Sequence, residues 1–242
     1  MKVYKFGGAS VRNAEGVKNL AHIVEGEDSL FIIVSAMGKT TNALERVFAH
    51  MQNGRKEEAN EEIRQIQAYH AEIIDELWGE HTDINEVTLL FGQLRNIVND
   101  IVYRHTDAEL WYDTIVAFGE LISTTIISKY LNHIGTRNRW IDMRTTLLTN
   151  QRHKDANVDI KASKHRLRAA IENTGVGVFV GQGFIGGAPD GTTTTLGREG
   201  SDYSAAIVAN VLDAESMSVW KDVDGILNAD PKIFPDAKKI DR

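Results

Sequence analysis

The side chains best suited to chemistry fall in one polar, glycine-punctuated stretch, Gly197-Arg198-Glu199-Gly200-Ser201-Asp202-Tyr203-Ser204. It follows Thr192 to Thr195 and runs into an apolar, alanine-rich segment, 205–212. Ser201 suits a helix N-cap, because its side-chain oxygen can accept from an unpaired N–H of the first turn. Such a helix start, with free N–H groups and a partial positive charge, attracts anions. Arg198 adds a fixed fork of donors suited to a carboxylate or phosphate. Asp202 falls in the first turn, where the helix dipole favours a carboxylate, and it could also organise a cation or a lysine. A capped helix beside an incidental arginine would show the same residues, so the rest of the chain must decide.

Three further stretches place similar groups at the ends of strand-like segments. Val3 to Phe6 reads as a strand that ends in Gly7-Gly8-Ala9-Ser10, with helical spacing from Asn13 to Val24. Strand, glycine turn and helix form the layout of a phosphate cradle, because residues without a Cβ let backbone N–H groups approach an anion. It is not a Walker A loop, since Lys5 precedes the glycines. The unbroken apolar run Leu30 to Val34 reads as a strand buried on both faces. It ends in a polar turn holding Ser35 and Thr41, with a helix from about Ala43. A third strand, Val176 to Val180, runs into Gly181-Gln182-Gly183-Phe184, and a fourth, Met217 to Trp220, into the acidic, turn-rich 221–232.

Amphipathic helices are expected over 56–77 and 85–102, one long helix over 107–130 broken at Phe118-Gly119-Glu120, a short strand at 140–142 and a helix over 164–171. A glycine inside an apolar helix costs about 1 kcal/mol, so such a break often has a packing or functional reason. The segment up to Asp159 has no clear pattern. The chain has 242 residues, no Cys and a net charge of -7. Zero Cys removes disulfides, thiol nucleophiles and cysteine–metal sites. The acidic balance argues against nucleic acid or an anionic membrane as partner. The histidines show no metal-ligand spacing. No apolar run reaches the ~18 residues of a membrane span, and the start does not read as a signal peptide, so a cytoplasmic location is expected.

Four strand ends carrying Gly, Ser, Thr, Lys, Arg and Asp suit ligand chemistry at the carboxyl edge of a parallel sheet. Cations, helix starts and a few carboxylates fit phosphoryl transfer, where catalysis is mostly positioning and charge neutralisation. They fit best if the acceptor is already an anion. A carboxylate, with a reference pKa of about 4, needs no general base at neutral pH.

Six segments, in order, resemble the aspartokinases of the amino-acid kinase family: Lys5 to Val11, Val34 to Leu44, Phe118 to Glu120, Gly183 to Gly186, Gly197 to Ala205 and Asp222 to Pro231. The resemblance implies a three-layer αβα sandwich around a mostly parallel sheet, with 1–242 as one catalytic domain. It implies transfer of the γ-phosphoryl of Mg-ATP to the β-carboxylate of L-aspartate, opening the route to lysine, threonine and methionine. By position, Lys5 would stabilise the transferring phosphoryl, with Gly7 and Gly8 cradling phosphate and Asp202 organising the lysine. Arg198 would hold a carboxylate of aspartate, helped by Ser201 and Thr41. Glu120 would take its amino group, and Ser35 and Phe184 would shape the pocket. Lys221, Asp222, Leu227, Asp230 and Lys232 would belong to the nucleotide loop, and magnesium would arrive on ATP rather than in a protein cage.

The sequence departs from the family pattern at Ala9, where Thr is usual, and at Lys221, Leu227 and Lys232, where Thr or Ser, Tyr and Arg are frequent. Family members continue with more of the kinase domain and usually regulatory ACT domains, so the chain reads as a catalytic-domain fragment of a protein expected to form homo-oligomers. Rival readings are a kinase for glutamate, acetylglutamate or carbamate, and a lobe that binds ligand without turnover.

Overall fold

A computed structural model describes all residues except 81, 101–104, 222–224, 226–227, 230–232, 235, 239 and 241–242. Five strands form one parallel sheet: β1 (Lys2–Phe6), β2 (Leu30–Val34), β3 (Asn138–Ile141), β4 (Val178–Gln182) and β7 (Ser216–Trp220), in the order β3-β4-β2-β1-β7. β1 pairs with β2 in the register Lys5↔Ile33 and with β7 in the register Lys5↔Val219. The central β2 is buried along its whole length, as its uninterrupted Leu-Phe-Ile-Ile-Val run predicts.

Strand alternation divides the sheet between two cores. Phe6, Leu30, Ile32, Val34, Val178 and Val180 face one helical layer. That layer holds α1 (Ala14–Val24), α2 (Thr40–Gln52), α3 (Lys56–Trp78), α4 (Asn85–Asp100), α5 (Ala108–Val116) and α6 (Phe118–His133). Val3, Phe31, Ile33, Ile141 and Phe179 face the other, built from α7 (Met143–Thr146), α8 (Ile160–Ile171) and α9 (Gly200–Val211). The result is the expected three-layer αβα sandwich.

Several boundaries differ from the sequence reading. The helix expected over 107–130 with a break at 118–120 does divide, into α5 and α6, but at Ala117, just before the expected break. Residues 108–133 are together apolar enough, by length and composition, to cross a membrane, but 78% of the most apolar window is buried in the core. The strand expected at 176–180 lies two residues later, and α2 begins at Thr40, so Thr41 is a helical residue and not the cap. The threonine run, read as loop, forms a hairpin: β5 (Ile185–Gly187) pairs antiparallel with β6 (Thr193–Thr195). Three-residue strands dominated by glycine and threonine carry too little apolar alternation to be seen in sequence.

Candidate active site

Alternation along β1 puts Lys5 on the same face as Val3, towards α9. The Lys5 side chain is only 7% exposed, and its Nζ lies 2.7 Å from Asp202 Oδ1. Asp202 is the third residue of α9, so the strand end and the helix start meet through this ion pair. Lys221, just beyond β7, puts its Nζ 3.0 Å from the other oxygen, Asp202 Oδ2. Burial pushes the Asp202 carboxyl up, but hydrogen bonds and charge from Lys5 and Lys221 outweigh it and hold the pKa below the usual value.

The start of α9 is not built as the sequence suggests. Its cap is Glu199, held in the left-handed conformation (φ 56°) with no side-chain cap bond, and Ser201 is the second helical residue. The N–H groups of Asp202 and Tyr203 both donate to the Glu199 carbonyl. Ser201 instead lines a cleft of about 600 Å³ with Lys5, Gly8, Ser35, Thr41, Glu120, Phe184, Arg198, Asp202 and Lys221. The cleft opens at the carboxyl ends of β1, β2 and β4, where ligands of open α/β sheets bind.

Gly8 and Gly119 bring the walls together. A Cβ at Gly8 would lie 2.5 Å from the Ala36 carbonyl oxygen, so only glycine lets the first strand-end turn pass the second. Gly7 is not available as a simple phosphate donor, since its N–H donates to the Trp220 carbonyl (3.3 Å). A Cβ at Gly119 would lie 2.8 Å from Ala36 Cβ, which explains the glycine in an apolar helix. The close approach lets the Ala36 N–H donate to Glu120 Oε1 (3.1 Å). Glu120 is 2% exposed, and its Oε2 has no hydrogen-bond partner. Burial pushes its pKa up to about 8, against the opposing pull of the Ala36 N–H and the Lys5 charge.

The cleft also holds groups that the sequence reading passed over. Tyr112 on α5 donates its hydroxyl to Glu45 Oε1 (2.8 Å), and Lys154 Nζ sits 4.6 Å from the centre of the Tyr112 ring. Burial, reinforced by Glu45, raises the Tyr112 pKa. Phe184 enters with φ 67°, its N–H donating to Ser204 Oγ (2.9 Å). Asp222, Leu227, Asp230 and Lys232 lie outside the described residues. Among the described residues no three His, Asp or Glu side chains gather as a metal cage. Both Asp202 oxygens face lysines, Lys5 on one side and Lys221 on the other.

The chain is 32% identical over 241 residues to lysine-sensitive aspartokinase 3 of Escherichia coli K12, covering 99% of this chain and 53% of that protein. Aspartokinase 1, chloroplastic, of Arabidopsis thaliana is 33% identical over 98% of this chain and 43% of that protein. The chain thus spans about half the length of these curated relatives. The crystal structure of E. coli aspartokinase III with aspartate and ADP (R-state) superposes with a TM-score of 0.88 at 30% identity, over 100% of this chain and 53% of that one. All 242 residues match the profile of the amino acid kinase family, and the chain belongs to that family.

Proposed function

We propose that this chain is an aspartate kinase domain, transferring the γ-phosphoryl of Mg-ATP to the β-carboxylate of L-aspartate. The observation that carries the reading is the Lys5–Asp202 ion pair (2.7 Å) at the floor of a cleft that also holds Arg198 and the buried Glu120. The E. coli relative with aspartate and ADP bound supports the same choice of ligands. Arg198 takes the α-carboxylate, and Glu120 takes the ammonium, its unpartnered Oε2 supplying the acceptor. Thr41, Ser35 and Ser201 hydrogen-bond the acceptor end, and Phe184 closes the pocket.

An oxygen of the β-carboxylate attacks the γ-phosphorus, and the bond from that phosphorus to the bridging oxygen breaks, releasing ADP. The acceptor is already ionised, so no base removes a proton. Lys5, with Asp202 fixing its ammonium, neutralises charge on the transferring phosphoryl. Magnesium bound with the nucleotide would supply charge screening for its phosphates. Lys221, at the cleft edge, receives the nucleotide.

The product's place is the entry to aspartate-derived amino-acid synthesis. A hydroxylamine trap tests the reading: hydroxamate that needs both Mg-ATP and L-aspartate supports it. Hydroxamate with glutamate or acetylglutamate but not aspartate overturns the substrate.

A further inference from the structure

Asp113, on α5, is fully buried and has no part in the steps above. Its carboxylate is nevertheless heavily engaged. Oδ1 accepts from the Thr195 hydroxyl (2.6 Å) and the Lys154 N–H (3.1 Å). Oδ2 accepts from the Lys154 N–H (2.9 Å), the Thr195 N–H (3.1 Å) and His153 Nδ1 (3.0 Å). One carboxylate therefore pins α5, β6 and the loop at 153–154 together. Burying an acid is costly unless it is fully hydrogen-bonded, so an anchor of this kind fixes a segment whose position matters.

The segment it fixes presents Lys154. That residue adopts φ 66°, a left-handed conformation unfavourable to any side chain but glycine, and the Asp113 bonds to its own N–H hold it there. Its carbonyl oxygen lies 3.4 Å from where a Gly197 Cβ would be, so Lys154 borders the turn that carries Arg198. Its ammonium rests on the Tyr112 ring at the cleft wall, and no carboxylate of the described residues lies within ion-pair distance of it. The Tyr112 ring is half-buried, and a lysine held there by the ring face alone is free to turn to a carboxylate ligand.

We infer that Lys154 is a second cationic contact for the acceptor, standing beside Arg198 and binding a carboxylate of the acidic amino acid. The inference deepens the proposed function and rests on it. L-aspartate carries two carboxylates. Lys5 serves the end where phosphoryl arrives, and Arg198 with Lys154 gives the other end two cations. The site thereby favours an acceptor with a free α-carboxylate over one whose α-carboxyl is amidated.

Calorimetric binding of L-aspartate and of Mg-ADP to the full chain tests this independently of turnover. Lys154→Met keeps the length of the stem and removes the charge. It weakens L-aspartate binding roughly tenfold, the size of one half-exposed charge-assisted hydrogen bond, and leaves the Mg-ADP Kd within about twofold. Lys154→Arg restores most of the loss. A Lys154→Met protein with unchanged aspartate affinity, or with weakened Mg-ADP binding instead, overturns the assignment of Lys154. A wild-type chain that neither binds L-aspartate nor forms hydroxamate from it overturns the proposed function itself.

Discussion

Glu120 turns aspartate binding into a proton-linked event. With its pKa at about 8, this buried carboxyl is about nine-tenths protonated at pH 7 in the ligand-free cleft. An ammonium ligand needs the ionised form, so binding near neutral pH must expel close to one proton per site. Ionising Glu120 at pH 7 costs about 1.4 kcal/mol, and aspartate affinity should rise about tenfold per pH unit from pH 6 towards pH 8, then level. Titration calorimetry at pH 7, in buffers of different ionisation enthalpy, reads the proton directly as the slope of heat against that enthalpy. Glu120→Gln removes the slope, flattens the affinity across this range and weakens binding at pH 8 by about tenfold or more. The same group acts on stability. Its folded pKa is raised, so its contribution is complete below about 4.5 and is lost as pH rises through about 8. Heats independent of buffer, together with an affinity unchanged between pH 6 and 8, would refute a protonated Glu120 that meets the substrate ammonium.

Three further outcomes follow from the same fold. Lys5→Met and Asp202→Asn each lower hydroxamate formation about 10²–10³-fold, as removal of a preorganised charge does, while the thermal unfolding midpoint stays within a few degrees of wild type. Gly8→Ala drives a Cβ to 2.5 Å from the Ala36 carbonyl and costs about 1–3 kcal/mol, measurable as a lower urea midpoint at unchanged slope. His70 is fully buried, with burial lowering its pKa from 6.5 to about 4. The unfolded chain therefore binds the extra proton, and stability falls as pH drops below 6.5, by about 2 kcal/mol at pH 5. His70→Leu abolishes that part of the pH dependence in urea unfolding at pH 5 and 7.

The strand ends were legible because buried parallel strands write themselves as apolar runs and their turns as glycine and hydroxyl residues. Lys5, Ser35 and Asp202 could be placed from those turns alone. Glu120 left a physical trace, an acid beside a glycine inside an apolar helix, but its contact with Ala36 joins residues far apart in sequence. Asp113 left a similar trace, one acid between Trp111-Tyr112 and Ile115-Val116, but its partners Lys154 and Thr195 lie far away in sequence. Lys154 left none: it sits in a polar segment without period, held by a left-handed turn that nothing local requires. Ser201 shows the opposite failure. Its residue type favours a helix cap, yet the chain uses Glu199 there.

The parallel order β2-β1-β7 has a consequence for how the molecule comes to exist. Ser10, next to the first glycine turn, donates to the Trp220 carbonyl 210 positions away, and β1 pairs along its whole length with β7. During synthesis at about 5–20 residues per second, β1 therefore waits roughly 10–40 s with one edge unsatisfied before that neighbour emerges. Asp202 and Lys221 arrive in the same late window, so Lys5 meets its partners only as this span closes. Until then the nascent chain carries an open strand edge, the kind of surface that recruits chaperones or aggregates.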